Sequence, residues 1–549
     1  MSTTTAVEGS ALAEIWPLSP LQQGILFHAT SDNQDADANG GDAGDHGNGN
    51  GSPDVYVVQA TLAVDGPLDA DRLRNAWQVL LDRHPALRAS FHRRKSGEAV
   101  QLIPTHVQVP WREADASHLT DGEASRHVAE LAAAERTERF DLSVAPLLRL
   151  VLIRLAAERH VLVMTAHHIL LDGWSTPVLQ QEVSALYAAE GDTSVLPRAT
   201  SYREYLAWLG RQDKQAARQA WRAELAGIAE PTLVAPADPT RKPAVPEMVS
   251  SEIDQETTRA LGEFARTHGL TMNTVMQGAW ALLLARLTGR TDVVFGTTVS
   301  GRPPELPGVE TMVGLLINTL PVRVRLDGAQ PALHMLTGLQ ERQTALLEHQ
   351  HMGLAEIQRL AGSAALFDTL FAYENYPSPP SDQAASAEVL TFRPMDAREA
   401  THYPLTLSFV PGDRIQVWLD HRPDLVATEI AAALPGRLLR VLKQLMADPM
   451  MPVGRIDVLG AQERGAVVVS GRSATAEGEG VLSSSVPELI AAQVACRPDA
   501  VAVSGAGTSL SYGELWATSG RLAGYLSGVG VGRGGRVAVV MERSVELVV

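Results

Sequence analysis

The sequence predicts a layered α/β fold, and three observations carry that prediction. Short β-branched runs alternate with amphipathic segments through the first 190 residues, the pattern of strands and helices stacked in layers. Hydrophobic residues make up 45% of the chain and charged residues 20%, an ordinary globular mixture. At about 150 residues per domain, 549 residues amount to three or four domains' worth of chain.

In chain order, structure begins near Leu12, and residues 31–52 (SDNQDADANGGDAGDHGNGNGS) then read as a flexible surface insertion. Asp, Asn, Gly and Ala cannot bury enough apolar surface to offset ordering entropy. The regular spacing and terminal Glu of a calcium loop are missing. Residues 55–64 (VYVVQATLAV) predict a strand, and 69–81 predict a helix with Leu73, Trp77, Leu80 and Leu81 on one face. Strands are expected at 87–91, 100–103, 147–155 and 160–166, and a helix at 122–136. A further helix is expected after Ser175 or Thr176 as cap, with Pro177 in its first turn and Leu179, Val183, Leu186 and Tyr187 buried.

A second stretch, from about 200 to 449, predicts helices at 202–222, 255–268, 273–287, 331–349 and 427–447, with strands at 292–299 and 317–326. Residues 377–387 (PSPPSDQAASA) read as an exposed loop and 470–485 as a linker. The last region carries an expected strand at 500–504, a capping box at Ser511–Glu514 opening a helix to about Leu526, and a strand at 536–541. Its few apolar residues do not make a convincing independent core, so it reads as the start of a cut-off domain.

Composition also excludes. With Lys+Arg 46 and Asp+Glu 63 the net charge is −17, wrong for coating a nucleic-acid backbone or an anionic membrane. The single cysteine, Cys496, rules out an internal disulfide and a multi-thiolate zinc site, and points to the cytoplasm. No apolar run approaches a bilayer span; residues 279–287 (AWALLLARL) fit a buried helix. The first residues lack the order of a secretory signal.

The strongest local feature is VLVMTAHHILLDGWS at 161–175, an apolar strand ending in His167 and His168, then Asp172 and Gly173 before a helix. Neighbouring strand residues point to opposite faces, so one histidine can enter a cleft while the other packs behind it. Gly173 would permit a tight turn, and an imidazole so placed suits a general base or an orienting acceptor near neutral pH. A zinc site lacks the H-E-x-x-H pattern, and a Ser/His/Asp triad lacks the G-x-S-x-G elbow.

This HHxxxDG pattern resembles the condensation domains of nonribosomal peptide synthetases, within the chloramphenicol-acetyltransferase-like acyltransferases. Further signatures follow in family order: LSPLQQGILFHA at 18–29, RHPALRASF at 83–91, YREYLAW at 202–208, DVVFGTTVSGR at 292–302, GLLINTLPVR at 314–323, His349–Gln350, and LFDTLFAYEN at 366–375. Residues 486–549 resemble the start of an adenylation domain through LSYGEL at 510–515. That family's ATP-binding loop lies further on, so no ATP is expected here. No carrier attachment site is present.

The resemblance implies two chloramphenicol-acetyltransferase-like lobes in a V-shaped pseudo-dimer with a central tunnel, followed by a partial α/β segment. The expected boundaries are 12–190 and 191–450 for the lobes, 451–485 for the linker and 486–549 for the adenylation start. It implies peptide-bond formation between a donor acyl or peptidyl thioester and an acceptor aminoacyl thioester. Both ride on 4′-phosphopantetheine arms of upstream and downstream carrier proteins. No metal is implied, and the chain is expected to be a monomer beside a downstream adenylation domain.

Residue by residue, His168 would face the tunnel as base or orienting group, with His167 structural. Asp172 would form a buried ion pair with Arg323, Gly173 would leave backbone room near the amine, and Asn318 and Trp174 would support. An epimerization domain and a non-catalytic docking module are the alternatives. A heterocyclizing relative would replace the histidines with an aspartate pair. The opening and histidine signatures favour an L-configured donor, delivered from a separate polypeptide.

Overall fold

The computed structural model describes residues 12–38, 54–235, 244–363, 365–375, 391–398, 401–460, 463–465, 485–505, 508–532, 535–541 and 544–549. The chain divides into two compact units, 1–458 and 459–549.

In the first unit β1 (Leu12–Pro17) leads into α1 (Pro20–Ala38), then β2 (Val57–Asp65) and α2 (Ala70–Arg83). β3 (Ser90–Arg93), β4 (Ala99–Pro104), β5 (Trp111–Asp115) and α3 (Asp121–Thr137) follow. β6 (Leu148–Ala156) and β7 (Arg159–His167) form a hairpin that feeds α4 (Ser175–Ala188). Next come α5 (Tyr202–Arg211), α6 (Lys214–Glu224), β8 (Glu247–Ile253), α7 (Gln255–Thr267), α8 (Met272–Thr288), β9 (Asp292–Val299) and β10 (Asn318–Arg325). The unit closes with α9 (Ala332–Ala345), α10 (Leu354–Leu360), β11 (Thr369–Tyr373), β12 (Thr391–Arg398), β13 (Leu405–Val410), β14 (Ile415–His421) and α11 (Thr428–Ala447).

Two sheets organise these elements. The N-terminal one has order β12-β2-β7-β6-β5 and the C-terminal one β10-β9-β11-β13-β14-β8. In the first, β2/β7 and β7/β6 are antiparallel while β6/β5 is parallel. In the second, β8/β14 and β14/β13 are antiparallel while β13/β11 is parallel. Four strands of each sheet thus share order and sense, which makes the unit a pseudo-dimer of two lobes. A third, small sheet runs β1-β4-β3.

The lobes are not cut cleanly along the chain. β12 comes from the second half of the sequence yet pairs with β2. Tyr202, Tyr205, Met312 and Leu315 pack into the same core as Trp77, Leu80 and Leu162 of the first lobe.

The second lobe's core gathers around α8, where residues 274–285 are all buried. A helix apolar on every side belongs inside a protein, as expected for AWALLLARL. Gly278 lets α9 approach closely: a Cβ there would meet Leu336 Cδ2 at 2.1 Å. Trp280 is fully buried beside Phe295, Phe371 and Phe409; Trp280→Ala is expected to cost about 3–5 kcal/mol through the cavity it leaves.

Several local expectations are corrected. Residues 31–38 of the polar insertion continue α1, because extending an existing helix avoids the cost of a new nucleus; residues 39–52 lie outside the described residues. Residues 85–88 form a 3-10 turn, with Pro85 leading, and the strand begins only at Ser90. The helix expected over 202–222 is two helices, broken where Gln212 turns extended and Asp213 caps α6 through the amides of Gln215 and Ala216. The loop expected at 377–387 and residues 470–484 of the expected linker lie outside the described residues, while at its start Val453 and Ile456 are buried in the second lobe's core.

In the second unit, α12 (Val486–Cys496) precedes the hairpin β15 (Val501–Gly505) and β16 (Thr508–Ser511), then α13 (Tyr512–Gly528). The capping box at its start is present: Ser511 Oγ accepts from the Glu514 amide while Glu514 accepts from the Ser511 amide. Residues 536–541 do not form the expected strand. They find no ladder partner among the described residues, and Val540 stays 94% exposed; β-branched content alone does not make a strand.

Candidate active site

β7 carries the two histidines to the end of the N-terminal sheet. Its last residue, His167, lies opposite Val57, the first residue of β2. His167 is fully buried, and its Nδ1 accepts from the Ile169 amide at 3.1 Å. The ring proton of the neutral imidazole therefore sits on Nε2, which lies 3.3 Å from Asp54 Oδ2. Burial pushes the Asp54 carboxyl up, but the nearby His167 Nε2, the Tyr56 amide and the Arg139 charge together hold it below the usual carboxylate range.

His168 has the opposite tautomer. Its amide donates to the Tyr56 carbonyl at 2.8 Å. Its Nδ1 stands 2.9 Å from the Leu171 carbonyl, which can only accept, so Nδ1 carries a proton and, in the neutral ring, Nε2 keeps its lone pair. The side chain is half-buried and lines a cavity of about 1270 Å³. His28 and Tyr56 line the same cavity from the first lobe, and Asn318, Phe367 and His402 from the second. An imidazole with a fixed ring and an available lone pair, set at the meeting of two lobes, can take a proton from a group held in that space.

Asp172 is fully buried and gathers donors from both lobes. Its Oδ1 accepts from the Ser175 amide at 2.9 Å and the Ser175 hydroxyl at 2.7 Å. Its Oδ2 accepts from the Leu316 amide at 3.0 Å. The cationic partner is Arg302, at 3.1 Å, not Arg323 as the sequence led us to expect. Arg323 instead holds Asp292 through two bonds of 2.9 and 2.7 Å, and donates to the carbonyls of Glu224 and Ala226. The reason is register. Leu316 touches Asp172, and Arg323 lies seven residues further along β10, about 20 Å or more away at ~3.4 Å per residue. Arg302 follows β9 instead. Gly301, at φ +60, turns the chain so tightly that a Cβ would lie 1.7 Å from Leu316 O, a conformation that only glycine takes easily.

The remaining expected residues divide. Gly173 is in the loop but is not among the chain's positive-φ glycines. Ser175 does not cap α4; it is the first helical residue, and Asp172 receives its amide. Trp174 lines the cavity, donates from Nε1 to Glu310 O at 2.8 Å, and lies 5.2 Å from the Arg302 guanidinium. Asn318 lines the cavity too, but its amide pins the loop after α9 by donating to the carbonyls of Gln350 and Met352, each at 2.8 Å. The sequence reading missed Asp54, Tyr56, Arg302 and His402. Of these only Arg302 had a signal, as the last residue of the 292–302 signature.

The condensation domain model matches residues 46–468. The chain belongs to the condensation-domain family. An AMP-binding enzyme model matches residues 490–549, so the condensation domain is followed by the start of an adenylation-type domain. A linear gramicidin synthase polypeptide of Brevibacillus parabrevis is 35% identical over 551 residues, covering 99% of this chain and 7% of that protein. Surfactin synthase subunit 3 of Bacillus subtilis (strain 168) is 31% identical, covering 98% of this chain and 41% of that one. The chain thus spans less than half the length of these curated relatives. Among solved structures, the first condensation domain of the calcium-dependent antibiotic synthetase, in complex with a substrate analogue, superposes with a TM-score of 0.65. It is 21% identical and covers 82% of this chain and 100% of that one. The X-domain from teicoplanin biosynthesis gives a TM-score of 0.67 at 23% identity, covering 83% and 100%.

Condensation domains of nonribosomal peptide synthetases are acyltransferases that form peptide bonds. In this condensation domain the signature at 202–208 does structural work: Tyr202 Oη donates to Leu315 O at 2.7 Å and Tyr205 Oη to Leu316 O at 3.1 Å. Those bonds steady the segment whose Leu316 amide holds Asp172. Among the described residues, no three His, Cys, Asp or Glu side chains are grouped to hold a metal ion, and no helix is long and apolar enough to cross a membrane.

Proposed function

We propose that this chain joins a donor acyl or peptidyl thioester to the α-amine of an acceptor aminoacyl thioester, each delivered on the phosphopantetheine arm of a carrier protein. The observation that carries the reading is His168: Nδ1–H is fixed on the Leu171 carbonyl at 2.9 Å, and the ring lines a cavity walled by both lobes. The acceptor nitrogen attacks the donor carbonyl, a C–N bond forms and the C–S bond breaks. The amine's proton goes to His168 Nε2, and the departing thiolate takes a proton back. A cavity of about 1270 Å³ exceeds the ~300–1,000 Å³ of a small-ligand pocket, which suits two thioester ends meeting in it.

His167, Asp172 and Arg302 act by holding the loop, and Gly173 leaves backbone room beside the amine. Trp174 and Asn318 support the wall. The signatures at 18–29 and 167–175 support an L-configured donor, and the acceptor is read as L-configured too. The partners are an upstream and a downstream carrier protein and the adenylation domain that residues 490–549 begin. The reaction needs no resident metal or ATP in this chain. A free, exposed thiol at Cys496 suits the reducing cytoplasm, and the protein is read as acting there as a monomer.

The test loads two excised carrier proteins, one with an L- or D-aminoacyl donor and one with an L-aminoacyl acceptor, and follows dipeptidyl-carrier by mass spectrometry. Dipeptide from the L-donor supports the full reading, whereas dipeptide from the D-donor alone overturns the stereochemical part. No dipeptide from any pair points to a docking module. Inversion of the loaded residue without condensation points to an epimerization domain.

A further inference from the structure

The cavity wall beside His168 contains a hydrogen bond that joins the lobes. Tyr56 Oη lies 2.8 Å from His402 Nδ1. Tyr56 stands immediately before β2, and His402 lies between β12 and β13 in the second half of the sequence. The same Tyr56 accepts the His168 amide on its carbonyl at 2.8 Å, and its own amide donates to Asp54 Oδ1 at 3.0 Å. Asp54 in turn faces His167 at 3.3 Å. One three-residue turn therefore holds both histidines of the motif by one end and His402 by the other.

His402 is itself fixed between rings. It stacks on His28 of α1 with centroids 4.5 Å apart at 24°, and lies 4.1 Å from the Tyr403 ring. Burial, with the charges of His28 and Arg422, drops its imidazole to about 3. The ring is thus neutral near pH 7 and offers a nitrogen lone pair to the Tyr56 hydroxyl, the better donor of the two.

We propose that Tyr56 and His402 form a cross-lobe positioning pair that sets the distance between the His168 loop and the opposite wall of the cavity. The inference rests on His168 being the proton acceptor. Neither side chain takes part in the chemistry. Misplacement of a reacting group by an ångström can cost ~10²-fold in rate, so a bond that fixes the spacing of two walls acts on turnover more than on carrier binding.

The experiment uses the full 549-residue chain. Tyr56→Phe removes only the hydroxyl. It is expected to lower kcat for dipeptide formation by ~10- to 100-fold with KM for both carriers and the melting temperature little changed. His402→Asn, which keeps an acceptor near the Nδ1 position, is expected to retain most activity, while His402→Phe should match Tyr56→Phe. The double variant Tyr56→Phe/His402→Phe should be no worse than either single one, because the pair acts as a unit.

A second readout needs no turnover: amide hydrogen exchange across residues 167–174 should quicken in Tyr56→Phe. Unchanged kcat in folded Tyr56→Phe, strictly additive losses in the double variant, or unchanged exchange would each overturn the proposal. A wild-type chain that makes no dipeptide, yet shows the exchange change, would count against the base role of His168 and leave the clasp standing.

Discussion

The two lobes end their matching hairpins in different ways. β7 finishes at His167 opposite the first residue of β2, and β14 finishes at His421 opposite the first residue of β8, Glu247. Both histidines are buried. His167 is tied to Asp54 and the Ile169 amide; His421 has Thr428 Oγ1 at 3.3 Å and Glu247 Oε2 at 3.8 Å. The next residue separates them. In the first lobe it is His168, its ring proton fixed and its lone pair available. In the second it is Arg422, with Nη2 2.7 Å from Asp424 Oδ2, a side chain that has no lone pair to accept a proton. The fold supplies a buried histidine anchor twice. Under the proposed mechanism the base is the residue after the anchor in the first lobe, whereas in the second lobe neither His421 nor Arg422 lines the cavity.

The largest effect that sharpens this contrast is expected at the two loop aspartates. Asp172→Ala strands Arg302, whose side chain is 3% exposed, and should cost about 3–5 kcal/mol by chemical denaturation. Asp424→Ala should cost less, because Arg422 and Asp424 keep 21% and 14% exposure and the freed guanidinium can rehydrate. Equal losses would break the distinction between a keystone and an ordinary ion pair. Next in size is Gly301→Ala, where positive φ and a Cβ 1.7 Å from Leu316 O predict a loss above ~1 kcal/mol with a disproportionate fall in activity, since Arg302 is displaced.

The smallest effect is one of pH. Asp54 titrates below its ordinary 3.8, so its contribution is whole above that value and is lost as pH falls through the lower, folded one. The stability gap between wild type and Asp54→Asn should hold steady down to about pH 5 and close in stronger acid. A gap that widens on acidification would contradict the pairing with His167.

What the sequence disclosed was set by locality. Residues 161–175 form one strand, loop and helix, so their order alone located the site. Arg302 was passed over because its choice as partner depends on the turn at Gly301 and on the β9/β10 register, neither of which is written in spacing. β12 was invisible for a related reason: TFRPMDAR contains a proline and charges and lacks the apolar alternation of a strand. Yet an edge strand tolerates both, and a bulge between Pro394 and Asp396 absorbs the proline. Asp54 and Tyr56 sat beside the polar insertion, and nothing local marked them as neighbours of the histidines. Residues 536–541 taught the converse, since strand-like composition without a pairing partner stays unpaired.

The most direct measurement of the central claim is the single-turnover rate of dipeptide formation between preloaded carriers, for wild type and for a His168→Ala variant shown to be folded. Loss of the proton acceptor predicts a fall of ~10²–10⁴-fold, with His421→Ala retaining most of the rate. Equal rates for wild type and His168→Ala would contradict the account.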